Sequence, residues 1–138
     1  MKKQITKKAR DFEEYVIKCS YNLKKFDKEI QAVAGARFGK DKSCKTNIPY
    51  RKSGEIEKCF DERLKNQLKK IGELGKRPSG RNQYLGNCAE QNACNEILKR
   101  NPKIKLKQVK YSLAYRPRTS EVKKYCLNCI EALGVANK

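Results

Sequence analysis

Cys88 is followed two residues later by Glu90, and further along the chain Cys126-Leu127-Asn128-Cys129 forms a C-x-x-C pair. Three thiolates can hold Zn²⁺ and leave a fourth coordination position for water, whose protons a nearby carboxylate can move. Such a set does hydrolysis. Seven cysteines and no histidine are present, so a catalytic metal would have to be held by Cys, Asp or Glu. Two other readings compete. A structural four-cysteine knot would need Cys94 or Cys59 as a fourth ligand. Cys94 lies six residues beyond Cys88, off the same helical face, and knots more often use two C-x-x-C pairs. A thioredoxin-like redox pair at Cys126 and Cys129 would leave Cys88 and Glu90 without a role. The open hydrolytic site is the preferred reading.

Two helices must position these groups. One should run from about Cys88 to Arg100, stopped by Asn101-Pro102, and the last from Cys126 to near Gly134. Both motifs then open helices, where about half a positive charge and unsatisfied N–H groups favour thiolate over thiol. On a regular helix Glu90 would lie about 200° round from Cys88. It reaches the same site if Cys88 stands at the boundary, outside helical dihedrals.

The rest of the chain supplies the frame. Ile5, Phe12, Cys19, Phe26 and Val33 recur seven apart, with Ala9, Val16, Leu23 and Ile30 as a second seam. This pattern predicts a long amphipathic helix over residues 1–34, packed on its own domain, with Gly35 as its stop. Residues 31–51 read as strand, turn and strand, and compete with the helix end for 31–34. Ile56, Phe60, Leu64, Leu68, Ile71 and Leu74 predict one further helix, closed by Gly75. Residues 108–116 alternate as a strand, with a later start or a bulge accounting for the opposite parity of Ile104 and Leu106. Cys19, Cys44, Cys59 and Cys94 read by default as small buried hydrophobes, with one or two bridges as the alternative.

At 138 residues the chain fits a single domain, with the zinc-site core over 86–134. No apolar run approaches the roughly 18 to 20 residues that span a bilayer, so no membrane partner is expected. The basic start leads into no apolar core of a cleavable signal peptide. Lys and Arg number 34 against 15 Asp and Glu, a formal charge of +19. That far exceeds the charge of about 2 to 8 that suits solubility alone. A polyanion is the natural counterpart because neutralised phosphates release condensed counterions. Nucleic acid is favoured, and an acidic protein fits the charge equally well.

Gly86-Asn87-Cys88-Ala89-Glu90, with Ala93 and Asn95, the Tyr115-Arg116-Pro117-Arg118-Thr119 turn, and Cys126 and Cys129, together resemble the cytidine deaminase-like superfamily. More narrowly, they resemble the YwqJ-like deaminases found as toxin domains of bacterial secreted effectors. The resemblance covers roughly residues 30–134. It implies zinc ligands at Cys88, Cys126 and Cys129, and a catalytic carboxylate at Glu90. It also implies an α/β fold of three layers, with a short mixed sheet of about three strands flanked by helices. The implied reaction is conversion of cytosine to uracil in single- or double-stranded DNA, favoured over RNA. The implied setting is a monomeric effector domain, exported without a cleavable signal peptide, acting in the target cell's cytoplasm and blocked by a cognate immunity protein. Two features depart from the family. Tyr125 stands where Pro usually precedes the C-x-x-C pair, and Lys138 ends the chain where further strands usually follow.

If ligands bind beyond the carboxyl end of the strand over 108–116, Arg116 and Arg118 are the first candidates for phosphate contacts. Arg81, Tyr84 and Asn87 should rim the same pocket, and Tyr84 or Tyr115 could stack on an extruded base. Each also reads as an ordinary surface arginine or an anchoring tyrosine. A deaminase of free nucleosides or nucleotides, and a non-catalytic zinc-stabilised nucleic-acid-binding module, are the alternative functions.

Overall fold

A computed structural model describes residues 7–22, 32–48, 52–81, 83–117, 119 and 121–135 of the chain. The amphipathic N-terminal pattern forms helix α1 (Lys7–Asn22), which buries Phe12 and Val16. Leu23, Phe26 and Ile30, expected on the same helix, lie outside the described residues. Val33 and Ala34 do not belong to it. They open strand β1 (Val33–Phe38), which turns through Gly39-Lys40 into β2 (Asp41–Thr46). The helix expected to reach residue 34 therefore gives way to strand before its end.

Small residues explain why β1 takes these positions. Ala34 and Ala36 face one side, where helix α4 (Ala89–Arg100) packs. Val33 and Gly35 face the other side, against α1. A Cβ on Gly35 would lie 2.4 Å from Val16 Cγ2, so only glycine admits α1 this closely. The central strand is thus sandwiched between helices, giving three layers.

The apolar stripe from Ile56 to Leu74 enters the core as expected, but on two helices rather than one. Helix α2 (Ser53–Cys59) ends at Phe60, whose backbone is extended, and α3 (Glu62–Lys69) begins after Asp61. Asp61 caps α3 by accepting from the Arg63 amide at 2.9 Å. Arg63 in turn donates to the carbonyls of Leu98, Asn101 and Ile104. Its guanidinium thus closes the carboxyl end of α4, where unpaired carbonyls and the helix dipole favour a cation.

The expected strand over 108–116 divides into β3 (Lys110–Tyr111) and β4 (Ala114–Tyr115). Both pair with one edge of β1, but Ala36 opposes Tyr111 while Val33 opposes Tyr115, a slip of one residue. This is a bulge at Ser112-Leu113. The Ser112 hydroxyl accepts from the Gly35 amide at 2.8 Å, and the Ser112 amide donates to the Gly35 carbonyl at 3.0 Å. β4 then forms a hairpin with β5 (Val122–Lys123), which no apolar alternation announces. Among the described residues the sheet therefore has five strands in the order β2-β1-β4-β5, with β3 also on β1, and every pairing among them is antiparallel. This corrects the expected mixed sheet of about three strands. Helix α5 (Leu127–Leu133) closes the described fold, ending at Gly134 with left-handed backbone. No helix among the described residues is long and apolar enough to cross a membrane.

Candidate metal centre and cavity

The three cysteines of the two motifs come together. Cys88 is the residue before α4, extended at φ −68° and ψ 146°, and Cys126 holds the same place before α5 at φ −75° and ψ 161°. Cys129 follows in the first turn of α5 and is fully buried. The three Sγ atoms all lie within 4.8 Å of one another, and no other such group of metal-ligating side chains occurs among the described residues. Cys88 Sγ and Cys126 Sγ are 3.0 Å apart.

Because Cys88 stands outside helical dihedrals, Glu90 turns toward the same point. Its Oε2 accepts from Cys129 Sγ at 3.0 Å, and the residue is only 4 % exposed. Burial raises the Glu90 carboxyl above its usual range, partly offset by the Cys129 hydrogen bond. Hydrogen bonds from Cys129 and Cys88 hold the Cys126 thiol down to about 3. The hydrogen bond to Cys126 raises Cys88, and burial raises Cys129.

That donor set fits a soft divalent cation. Three sulfurs converge, and metal binding displaces whatever protons these thiols hold. The other cysteines do not complete a knot. Cys94 is buried in the core, where its sulfur accepts from Tyr111 Oη at 3.1 Å, and Cys59 is exposed. Gln91, fully buried, braces the cluster. Its Oε1 accepts from the Gly86 amide at 2.8 Å, and its Nε2 lies 3.5 Å from Cys129 Sγ. One side chain therefore ties the loop before Cys88 to the helix carrying Cys129.

A cavity of about 310 Å³ opens beside the cluster. Cys88, Cys126 and Glu90 line one wall, and Ala32, Ala89 and Ala114 supply a small apolar surface. Tyr125 and Leu127 also line it, with Asn47, Gln83 and Asn128 as further polar residues. Arg81, Lys123 and Lys124 contribute the cations. The volume falls at the lower end of small-molecule sites.

Of the expected substrate contacts, the structure brings only Arg81 to this cavity, and Arg81 is already engaged. Its Nη1 donates to Asn128 Oδ1 at 3.0 Å and its Nη2 pairs with Glu131. Asn128 Nδ2 donates to the Gln83 carbonyl at 2.9 Å, so this chain of contacts shapes the rim. Tyr84 does not line the cavity; its ring lies under the Arg77 guanidinium, 5.7 Å from centroid to Cζ. Tyr115 is on the α1 side of the sheet, its hydroxyl donating to Glu13 Oε1 at 2.5 Å. Arg116 is exposed and away from the cavity, and Arg118 lies outside the described residues. Asn87 is buried beside Cys88. Its carbonyl accepts from the Ile48 amide at 2.9 Å, while its Oδ1 has no hydrogen-bond partner.

These differences share a cause. The rule that ligands bind beyond the carboxyl ends of strands belongs to parallel sheets, and this sheet is antiparallel. The cavity sits instead where β1 begins, β2 ends and β5 meets α5. Lys123, Lys124, Tyr125, Asn47, Asn128 and Gln91 were not singled out from the sequence. Tyr125 and Asn128 had a signal, since one precedes the C-x-x-C pair and the other lies within it. Asn47 had none, because only the hairpin register brings it there. No model of a known protein family matches the chain, and neither does any curated protein or solved structure.

Proposed function

We propose that the chain is a zinc-dependent hydrolytic deaminase that converts cytosine to uracil in nucleic acid, DNA in preference to RNA, as a bacterial toxin domain. The observation that carries this reading is the buried Glu90 carboxyl, 3.0 Å from Cys129 Sγ at the wall of a cavity that Cys88 and Cys126 also line. Zn²⁺ held by Cys88, Cys126 and Cys129 would supply the Lewis acidity that makes water nucleophilic near neutral pH. The net reaction is cytosine plus water giving uracil plus ammonia.

Glu90 does the proton work. Its Oε2 takes a proton from the attacking water, delivers it to the ring nitrogen, and later serves the departing amine. A carboxyl whose affinity for protons is raised by burial suits that exchange. The alanine surface limits water beside the base, and the Tyr125 ring, fixed by its hydroxyl donating to the Ser112 carbonyl at 2.5 Å, gives a flat wall for it. Lys123 and Lys124, which line the cavity where Arg116 does not, are the cations that would meet a phosphate. A polymer substrate accounts for the charge of +19, which a free nucleoside leaves without a purpose. The toxin setting and the expected immunity protein come from the family resemblance.

The test is to incubate the zinc-loaded protein with single-stranded DNA, double-stranded DNA, RNA and free cytosine nucleosides, then sequence the polymers and measure ammonia. Cytosine-to-uracil changes in DNA exceeding those in RNA support the reading. Ammonia from free nucleosides alone, or zinc binding without conversion of any polymer, would overturn it.

A further inference from the structure

Two cysteines outside the metal cluster pack on one shared apolar cluster. Cys44 on β2 is the register partner of Gly35 on β1, so it faces the α1 side of the sheet. Gly35 is the residue against which Val16 packs, and Cys19 lies one turn further along α1 than Val16. Both cysteines pack on the cluster of Phe12, Val16, Val33 and Tyr115, and burial together with the neighbouring Cys19 raises the Cys44 thiol above its ordinary value. Neither is fully buried, which leaves the pair within reach of a small oxidant. The other two cysteines outside the metal cluster are apart from this pair, since Cys59 is exposed and Cys94 is engaged by Tyr111 in the main core.

We propose that Cys19 and Cys44 form a reversible disulfide that fastens α1 across the β1–β2 hairpin, on the side of the sheet away from the metal cluster. A low-molecular-weight disulfide of the glutathione type is the oxidant. One cysteine attacks it as a thiolate, forming a mixed disulfide and releasing one small thiol. The second cysteine displaces the other small thiol and closes the Sγ–Sγ bond. The protein pair loses two electrons, the small disulfide gains them, and the two protons leave on the two small thiols. The bond closes a loop of about 25 residues, and chain-entropy bookkeeping puts the gain at about several hundredfold in the folding equilibrium. Glu13 also ties α1 to the sheet, accepting from Tyr115 Oη and the Leu113 amide. A covalent tie would therefore make its docking independent of those contacts.

The experiment uses the full chain as purified, equilibrated in glutathione buffers of graded redox ratio, quenched by alkylation and mapped as unreduced peptides. The expected result is a peptide linked through Cys19 and Cys44, with a urea midpoint higher than that of the reduced protein. C19S and C44S should each lose both the link and the shift. Finding Cys19 and Cys44 as free thiols at every ratio, trapped only as glutathione adducts, or bridged to other cysteines would overturn the assignment. The wild-type map decides the question even if a variant fails to fold, and it does so whether or not the protein deaminates anything.

Discussion

Gly86 is where the fold and the metal cluster are coupled most directly. Its backbone lies at φ +101°, a region that residues with a Cβ avoid, and an added Cβ would fall 2.4 Å from Ile56 Cδ1 and 2.9 Å from its Cγ1. Ile56 is fully buried, so it has little room to yield. Gly86→Ala therefore combines backbone strain of about 1–3 kcal/mol with overpacking of about 1–3 kcal/mol, a loss of about 2–6 kcal/mol in total. Ile56→Val removes the Cδ1 atom of the closest contact and by itself costs about 0.5–1.5 kcal/mol. In the double variant the steric part should fall while the backbone part stays, leaving a coupling of about 1 kcal/mol or more toward rescue. The assay is urea unfolding of the four proteins at one fixed free zinc concentration, because any ligand of the folded state shifts the midpoint. Gly86 also precedes Cys88 by two residues and donates to Gln91, so zinc affinity in Gly86→Ala should fall as well. Additive losses within about 0.5 kcal/mol would refute the steric part. A neutral Gly86→Ala would refute both.

Two further outcomes follow from named contacts. Tyr115→Phe should lose about 1–3 kcal/mol through its bond to the Glu13 carboxylate, by urea unfolding, while cytosine conversion stays at the wild-type level because Tyr115 faces away from the cavity. The hydrogen bond from Arg63 holds the Asp61 carboxyl below its ordinary value of 3.8. Its stabilisation is then present above about pH 4 and is lost as the pH falls through the depressed value. Asp61→Asn keeps a helix cap but not the charge, so its stability deficit by urea unfolding at pH 6 should shrink as the pH is lowered through 3.8 and below. A deficit that does not change with pH would contradict this.

The parts of this protein that were readable in its sequence are those set by local pattern. The apolar stripe of Ile56, Phe60, Leu64 and Leu68 marked core positions, and it did so even though the backbone breaks at Phe60-Asp61. The break itself is made by a cap and by Arg63 reaching carbonyls of α4, contacts that no stripe encodes. Cys88, Glu90, Cys126 and Cys129 were legible because ligand spacing and residue type are both local. Tyr115 was misplaced because one inserted residue at Ser112-Leu113 reverses which face its neighbours take. The cavity walls came from β5 and from the end of β2, which are short, polar and defined only by pairing. Arg116 was favoured over Lys123 and Lys124 for that reason.

The most direct measurement counts uracils. Wild-type protein and Glu90→Gln, both loaded with zinc to the same stoichiometry, are incubated with the same cytosine-containing DNA, and the product is sequenced. A hydrolytic site in which Glu90 moves the protons predicts uracil at cytosine positions with the wild type and a loss of about 10²–10⁴-fold with the variant at unchanged zinc content. Equal uracil counts from the two proteins, or none from the zinc-loaded wild type, would contradict it.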